Sequence, residues 1–130
     1  MGAVEKDYIM RLIHEVIRTL IKLIFGKDID EGMELVFREE YKEWGEQLKD
    51  LIDEGKIDEA ENRLLDEMEN GSAVDLEAAL TFYAYLNEKD NEFLEKHHFS
   101  RKEVMEGIGY ACEHYGYGSM AQSLLEQVEE

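Results

Sequence analysis

The sequence predicts an all-α fold, a compact array of helical hairpins with about six to seven helices. Three observations carry that expectation. Apolar residues recur at spacings of three and four, and no segment shows sustained alternation with β-branched enrichment. Proline, which breaks helices, is absent from the 130 residues. Glycine turns and capping signals separate the periodic segments and divide the chain into helix pairs.

Residues 7–25 read as the first helix, ended by Gly26. At about 100° per residue, Arg11, His14, Glu15, Arg18 and Lys22 fall on one narrow stripe. The rest of the circumference, roughly 220° of arc, is apolar. An ordinary surface helix has a narrower apolar face, so this leader must be covered on more than one side. It can serve as the central core helix of the bundle, as a self-association surface, or as a helix lying on a membrane.

Asp28-Ile29-Asp30-Glu31-Gly32 reads as a turn able to cap a helix that runs from Met33, with a break allowed between Val36 and Tyr41. Tyr41, Trp44, Leu48 and Leu51 give its stripe, and Gly55 ends it. Gly45 lies inside and weakens the helix by about 1 kcal/mol relative to Ala. Asp58 opens the next helix, with Glu61 placed to complete a capping box and Ile57, Ala60, Leu64 and Met68 as the buried stripe. After the turn Asn70-Gly71-Ser72, Ser72 with Asp75 resembles a cap. Leu76, Ala79, Leu80, Tyr83 and Leu86 then form a stripe. A polar break at 87–91 precedes a short helix around Phe93 and Leu94. Ser100-Arg101-Lys102-Glu103 is a capping box for a helix carrying Val104, Ile108, Ala111 and Cys112. Tyr115-Gly116-Tyr117-Gly118 ends it, and a last helix carries Met120, Ala121, Leu124 and Val128.

Charge organises the chain. The total is -18, from 14 Lys+Arg and 32 Asp+Glu, with a pI near 4.5. Residues 1–27 hold five of the basic and three of the acidic residues, a net of +2, which leaves -20 for residues 28–130. The expected organisation is therefore a leader helix, 1–27, packed on the body or on a second subunit, and a single acidic helical domain, 28–130. A 44% hydrophobic content is too high for a disordered acidic chain. The acidity argues against nucleic acid, which is held largely by Lys and Arg, and against a leader lying on anionic lipid. Charges inside the leader deny it the unbroken apolar core of a signal peptide or a membrane span. Met1 to Lys6 lacks the later Ser/Thr of a myristoylation signal. Cys112 is the only cysteine, so a reducing cytoplasm is expected.

The body pairs its helices at roughly 40–69, 74–98 and 101–129. In the first pair Trp44, Gly55, Ile57, Ala60 and Leu64 resemble a tetratricopeptide-type hairpin, with a small residue where two helices cross closely. Met105, Gly116, Ala121 and Leu125 repeat part of the spacing 61 residues on, while Gly118 and Gly109 depart from it at the places of Ile57 and Leu48. A compact bundle is preferred over an open superhelix. The opening Glu5-Lys6-Asp7-Tyr8-Ile9-Met10-Arg11-Leu12-Ile13, with Leu23-Ile24-Phe25-Gly26-Lys27, resembles a family of short bacterial proteins known only as a domain of unknown function. The resemblance implies a bacterial cytosolic protein and no activity.

Chemistry is sparse. Glu95 stands three residues before His98, the spacing of di-iron bundles, but those need a second such motif and two further Glu. Both are therefore weak metal candidates, and no cofactor is expected. Asp28, Asp30, Gly32, Leu35 and Glu39 mimic a calcium loop poorly, since Met33 replaces the turn glycine. Cys112 lies on a core stripe and reads as a small hydrophobe. His114, two residues on, points elsewhere. Gly107, Gly109, Gly116 and Gly118 do not form a phosphate loop. The tyrosines of the C-terminal half, Tyr83, Tyr85, Tyr110, Tyr115 and Tyr117, suit either an interface or a core with hydroxyls reaching water.

No catalytic set emerges. The preferred expectation is a non-enzymatic helical interaction or scaffold module with a basic protein partner, and the alternative is a metal-dependent helical-bundle enzyme. Arg11, Arg18, Lys22, Tyr83, Tyr115 and Tyr117 are its interaction candidates. A homodimer through the leader helix is a further expectation.

Overall fold

A computed structural model describes residues 2–30, 34–70 and 74–129, and the side chains of 8–30, 34–70 and 74–128. Among the described residues seven helices follow in order: α1 Gly2–Phe25, α2 Lys42–Asp53, α3 Ile57–Glu69, α4 Leu76–Asn87, α5 Asn91–Lys96, α6 Arg101–His114 and α7 Gly118–Glu129. A 3-10 turn, Glu39–Tyr41, leads into α2. There is no strand among the described residues. The fold is all-α. The expected caps at Glu31-Gly32 and Ser72, and the helix start at Met33, lie outside the described residues. Residues 34–38 are not helical, so the expected helix begins only at Lys42.

α1, α4, α6 and α7 pack in a closed ring, each on the next, with α7 returning to α1. The hairpin α2–α3 lies outside the ring and docks through α2 on α4. The reason is the composition of α4. Ten of its twelve residues are buried, among them Leu80, Phe82, Tyr83 and Leu86. A helix apolar on every side needs neighbours on every side. The sequence assigned that need to the leader, which packs on α4, α6 and α7, but α4 is the more enclosed helix. α1 buries Ile13, Val16, Ile17, Leu20 and Ile21 against the ring, while Leu23 stays 59% exposed.

The short 34–38 stretch replaces a helix with an aromatic contact. Phe37 lies on the face of α2 where Gly45 has no side chain, and a Cβ there would fall 2.3 Å from the Phe37 ring. Trp44 meets Phe37 edge-on at 5.9 Å. Lys49 Nζ lies over Phe37 and Tyr85, and Lys89 Nζ over Tyr85 and Phe93. This stack of rings and ammonium groups ties the stretch, α2, α4 and α5 together.

Two buried polar residues, Asn87 and Arg101, meet at one junction, while Thr81 donates back to the Glu77 carbonyl within α4. Asn87, fully buried, donates from Nδ2 to the Met10 carbonyl of α1 at 3.0 Å. Arg101 donates to the Asn87 carbonyl (2.6 Å), to Asn87 Oδ1 (3.0 Å) and to the Lys89 carbonyl (2.7 Å). A guanidinium at the C-terminal carbonyls of α4 satisfies acceptors that the helix leaves open and complements its dipole. Replacing Asn87 with Ala would remove the bond that joins the end of α4 to the Met10 carbonyl and take the Oδ1 acceptor from the buried guanidinium. Asn87→Ala is expected to lower the unfolding free energy by about 2–3 kcal/mol in urea denaturation, and a loss below about 0.5 kcal/mol would show the junction to be dispensable.

Candidate functional site

Glu95 is exposed on α5, and His98 lies just beyond that helix. His98 has φ +59°, the only positive φ among described non-glycine residues. Its N–H bonds the Glu95 carbonyl (3.1 Å), and the Phe99 N–H bonds the Leu94 carbonyl (2.9 Å). That pair closes a helix with a left-handed residue, as Gly55 closes α2 and Gly116 closes α6. His98 thus does the work of a terminating glycine. Among the described residues no group of three or more His, Cys, Asp or Glu is placed to hold a metal ion. The metal candidates are not gathered into a ligand set.

Cys112 is buried on α6 and its thiol is pushed up to about 11 by that burial. His114 turns away from it, with Nε2 3.1 Å from the Met68 carbonyl. Tyr115 donates to the Val74 carbonyl (2.8 Å) and Tyr110 to Glu69 (2.6 Å), so the end of α6 clamps the α3–α4 connection. Tyr83 is 0% exposed and donates to Glu61 at 2.7 Å. Glu61 therefore completes no capping box. Its carboxyl is held above the ordinary range by burial first and then by Asp58, Glu103 and Glu106. Of the six interaction candidates, Tyr83 belongs to the core and Tyr115 to the clamp. Lys22 pairs with Asp28. Tyr117 is exposed, and Arg11 and Arg18 line a cleft.

The cleft lies between α1, the end of α4 and the loop that follows α1. α1 and α4 run antiparallel, since Met10 meets Asn87 while Lys27, just past α1, meets Glu77. Lys27 Nζ lies 2.6 Å from the Glu77 carboxylate and Arg38 lies 3.5 Å from it. One carboxylate thus holds Lys27, just past α1, and Arg38, just before the 3-10 turn. The cleft has a volume of about 470 Å³. Arg11, His14, Glu15 and Arg18 of α1 form a mixed wall, Glu34 and Glu88 an acidic one, and Leu12, Ile29, Leu35 and Ala84 the apolar surface. Glu15 pairs with Arg18 at 3.6 Å, and no ion pair joins the two walls among the described residues. His14 is held below its ordinary value by burial, then by Arg18 and Arg101. The Glu88 carboxyl is pushed up by burial and then by Glu34.

A second depression runs between α6 and α7, about 690 Å³ in volume. Met105 and Leu125 form its apolar floor, Gly109, Gly116 and Gly118 open its sides, and Glu106, Glu113 and Glu126 face Lys102 at the rim. Sequence reasoning missed both places. The spacing of Arg11, His14 and Arg18 signalled the α1 wall, but nothing local pairs it with Glu34 and Glu88. The repeated hairpin spacing at Met105, Gly116 and Leu125 was the available signal for the second.

The fold and its clefts define an all-α helical bundle with an acidic surface and a hairpin docked on one side. A family model described as a family of unknown function (DUF6483) matches residues 3–116, and the chain belongs to that family. No curated protein and no solved structure gives a match. No helix among the described residues is long and apolar enough to cross a membrane.

Two consequences can be measured. A side chain in the left-handed region costs about 1 kcal/mol against glycine, so His98→Gly is expected to raise stability by about that amount, and a destabilised variant would contradict the role given to His98. The depressed His14 means that the unfolded chain binds the extra proton. Its contribution is complete above the unfolded value of 6.5 and declines as pH falls below it. Glu61 and Glu88, both raised, act with the opposite sign and gain stability on acidification. Comparing wild type with His14→Gln cancels them. Denaturation at pH 7 and at pH 5.5 is expected to show the smaller loss in the variant, and equal losses would refute the assignment.

Proposed function

We propose that the protein is a non-enzymatic helical interaction module that receives a basic, amphipathic helix of a partner protein in the groove between α6 and α7. The observation that carries this reading is the groove itself, with Met105 and Leu125 below, glycines at its sides and Glu106, Glu113 and Glu126 against a single rim cation, Lys102. An amphipathic helix lays its apolar face into such a groove, and a carboxylate rim attracts Lys and Arg and raises the on-rate at low salt. Gly116 has open space where a Cβ would stand, while Gly118 sits close against Glu113 of α6 and brings the two helices together. The tetratricopeptide-like spacing of Met105, Gly116, Ala121 and Leu125 favours the same face. A bacterial cytoplasmic setting accords with the family resemblance and with Cys112 as a buried free thiol.

A synthetic helix with a Leu face and a Lys face, titrated into the labelled protein, tests it by amide NMR. Shifts centred on Met105, Gly109, Gly118 and Leu125 are expected, weakening with salt. They should vanish in the triple variant Glu106→Lys, Glu113→Lys, Glu126→Lys, whose sites are all exposed. Shifts centred on α2–α3, or binding that survives the triple variant, would defeat this placement.

A further inference from the structure

We propose that Gly109 is the seat of an anchor residue. The partner helix in the α6–α7 groove lays one large apolar side chain, leucine or methionine, over Gly109, with a basic residue one turn before that anchor and another one turn after it. This inference rests on the groove reading above and names the sequence pattern that the groove selects.

The starting point is a glycine that the chain itself does not need. Gly26, Gly55 and Gly116 hold a positive φ, Phe37 and Tyr83 lie where a Cβ would stand on Gly45 and Gly107, and Gly118 abuts Glu113. Among the described glycines from Gly26 onward, Gly109 alone has none of these constraints. It lies inside α6, and a Cβ there would touch only Leu125, at an ordinary 3.7 Å. Alanine would make the better helix at this position, because glycine gives up more backbone freedom on folding. The packing of the chain gives no reason for a bare backbone at 109, and that backbone lines the groove.

Its neighbours supply the rest of the pattern. Lys102, Glu106, Gly109 and Glu113 follow at spacings of four, three and four, so they share one stripe of α6, and all of them line the groove. Half-buried Met105 and buried Leu125 line it beside them. A side chain set on Gly109 therefore gains apolar contact from Met105, Leu125 and the glycine backbone, the setting in which a few anchors carry most of the binding. Glu106 and Glu113, both exposed, stand one turn to either side. With Glu126 of α7 they make three carboxylates against the single cation Lys102, so positive charge is favoured around the anchor. A second copy of α6 would bring the same carboxylates and be repelled. The occupant is a basic helix of another protein.

The probes are two synthetic helices. One has Leu at the centre of its apolar face with Lys three residues before and four after, and the other has Ala in place of that Leu. Both are titrated into the full chain by calorimetry, with the site read by amide NMR. The Leu helix is expected to bind at least about tenfold tighter than the Ala helix. This comparison uses the wild type and does not depend on how a variant folds. Gly109→Leu fills the seat from the protein's side. In it the two helices should bind alike, while its urea midpoint, like that of Gly109→Ala, stays level or rises. Equal binding of both helices to the wild type, with shifts at Met105 and Leu125, overturns the anchor and leaves the groove reading standing. The same follows if Gly109→Leu keeps the preference for Leu. Binding of neither helix at millimolar concentration overturns both.

Discussion

The enclosure of α4 is the constraint on which the rest of the structure depends. Ten of its twelve residues are buried, so the helix cannot rest at a surface. α1 and α6 cover it within the ring, and α2 covers it from outside. Burial of large side chains such as Phe82, Tyr83 and Leu86 contributes about 1.5–3 kcal/mol each. The neighbours of α4 are therefore fixed by what α4 must hide. α7 completes the ring by covering α1 and α6, and that closure sets the groove on its outer side.

Polar groups locate the ends of that core. Asn87 and Arg101 seal the C-terminus of α4 and attach it to Met10 of α1. At the other end, Glu77 gathers Lys27 and Arg38. The first arrangement sets the register of α1 on α4. The second holds the loop against the pair. The charged cleft is the space left between these two fixings, so its walls follow from how the core is closed at each end.

Much of the fold was legible locally. Gly26, Gly55 and Gly116 mark helix ends by their positive φ, and Ser100 accepts from the Glu103 N–H as the capping box requires. The periodic stripes of α3 and α6 are the buried ones, while in α2 Leu48 is buried together with Gly45 and Ile52, and Trp44 and Leu51 are half-buried. Other signals misled. Glu61 has capping-box spacing but serves Tyr83. His98 has metal-ligand spacing but ends a helix. The stretch 34–38 continues a helical pattern but is not helical, and it places Phe37 on Gly45. In each case a partner distant in sequence outweighed the local preference, and no periodicity encodes that partner.

The sequence by itself determined the helical class, the turns, the caps that lie within one segment and the split between a weakly basic leader and an acidic body. These follow from backbone preferences and from side chains three or four residues apart, which interact before any tertiary contact forms. Only the tertiary structure decided which helix lies at the centre, and that Lys49 and Lys89 stack on aromatic rings. It also decided that Glu34 and Glu88 face Arg11 and Arg18. Those depend on the order in which apolar faces cover one another, because burial is nondirectional and a stripe does not name its partner. The charge split was visible in the chain; the cleft where its two signs face each other required the fold.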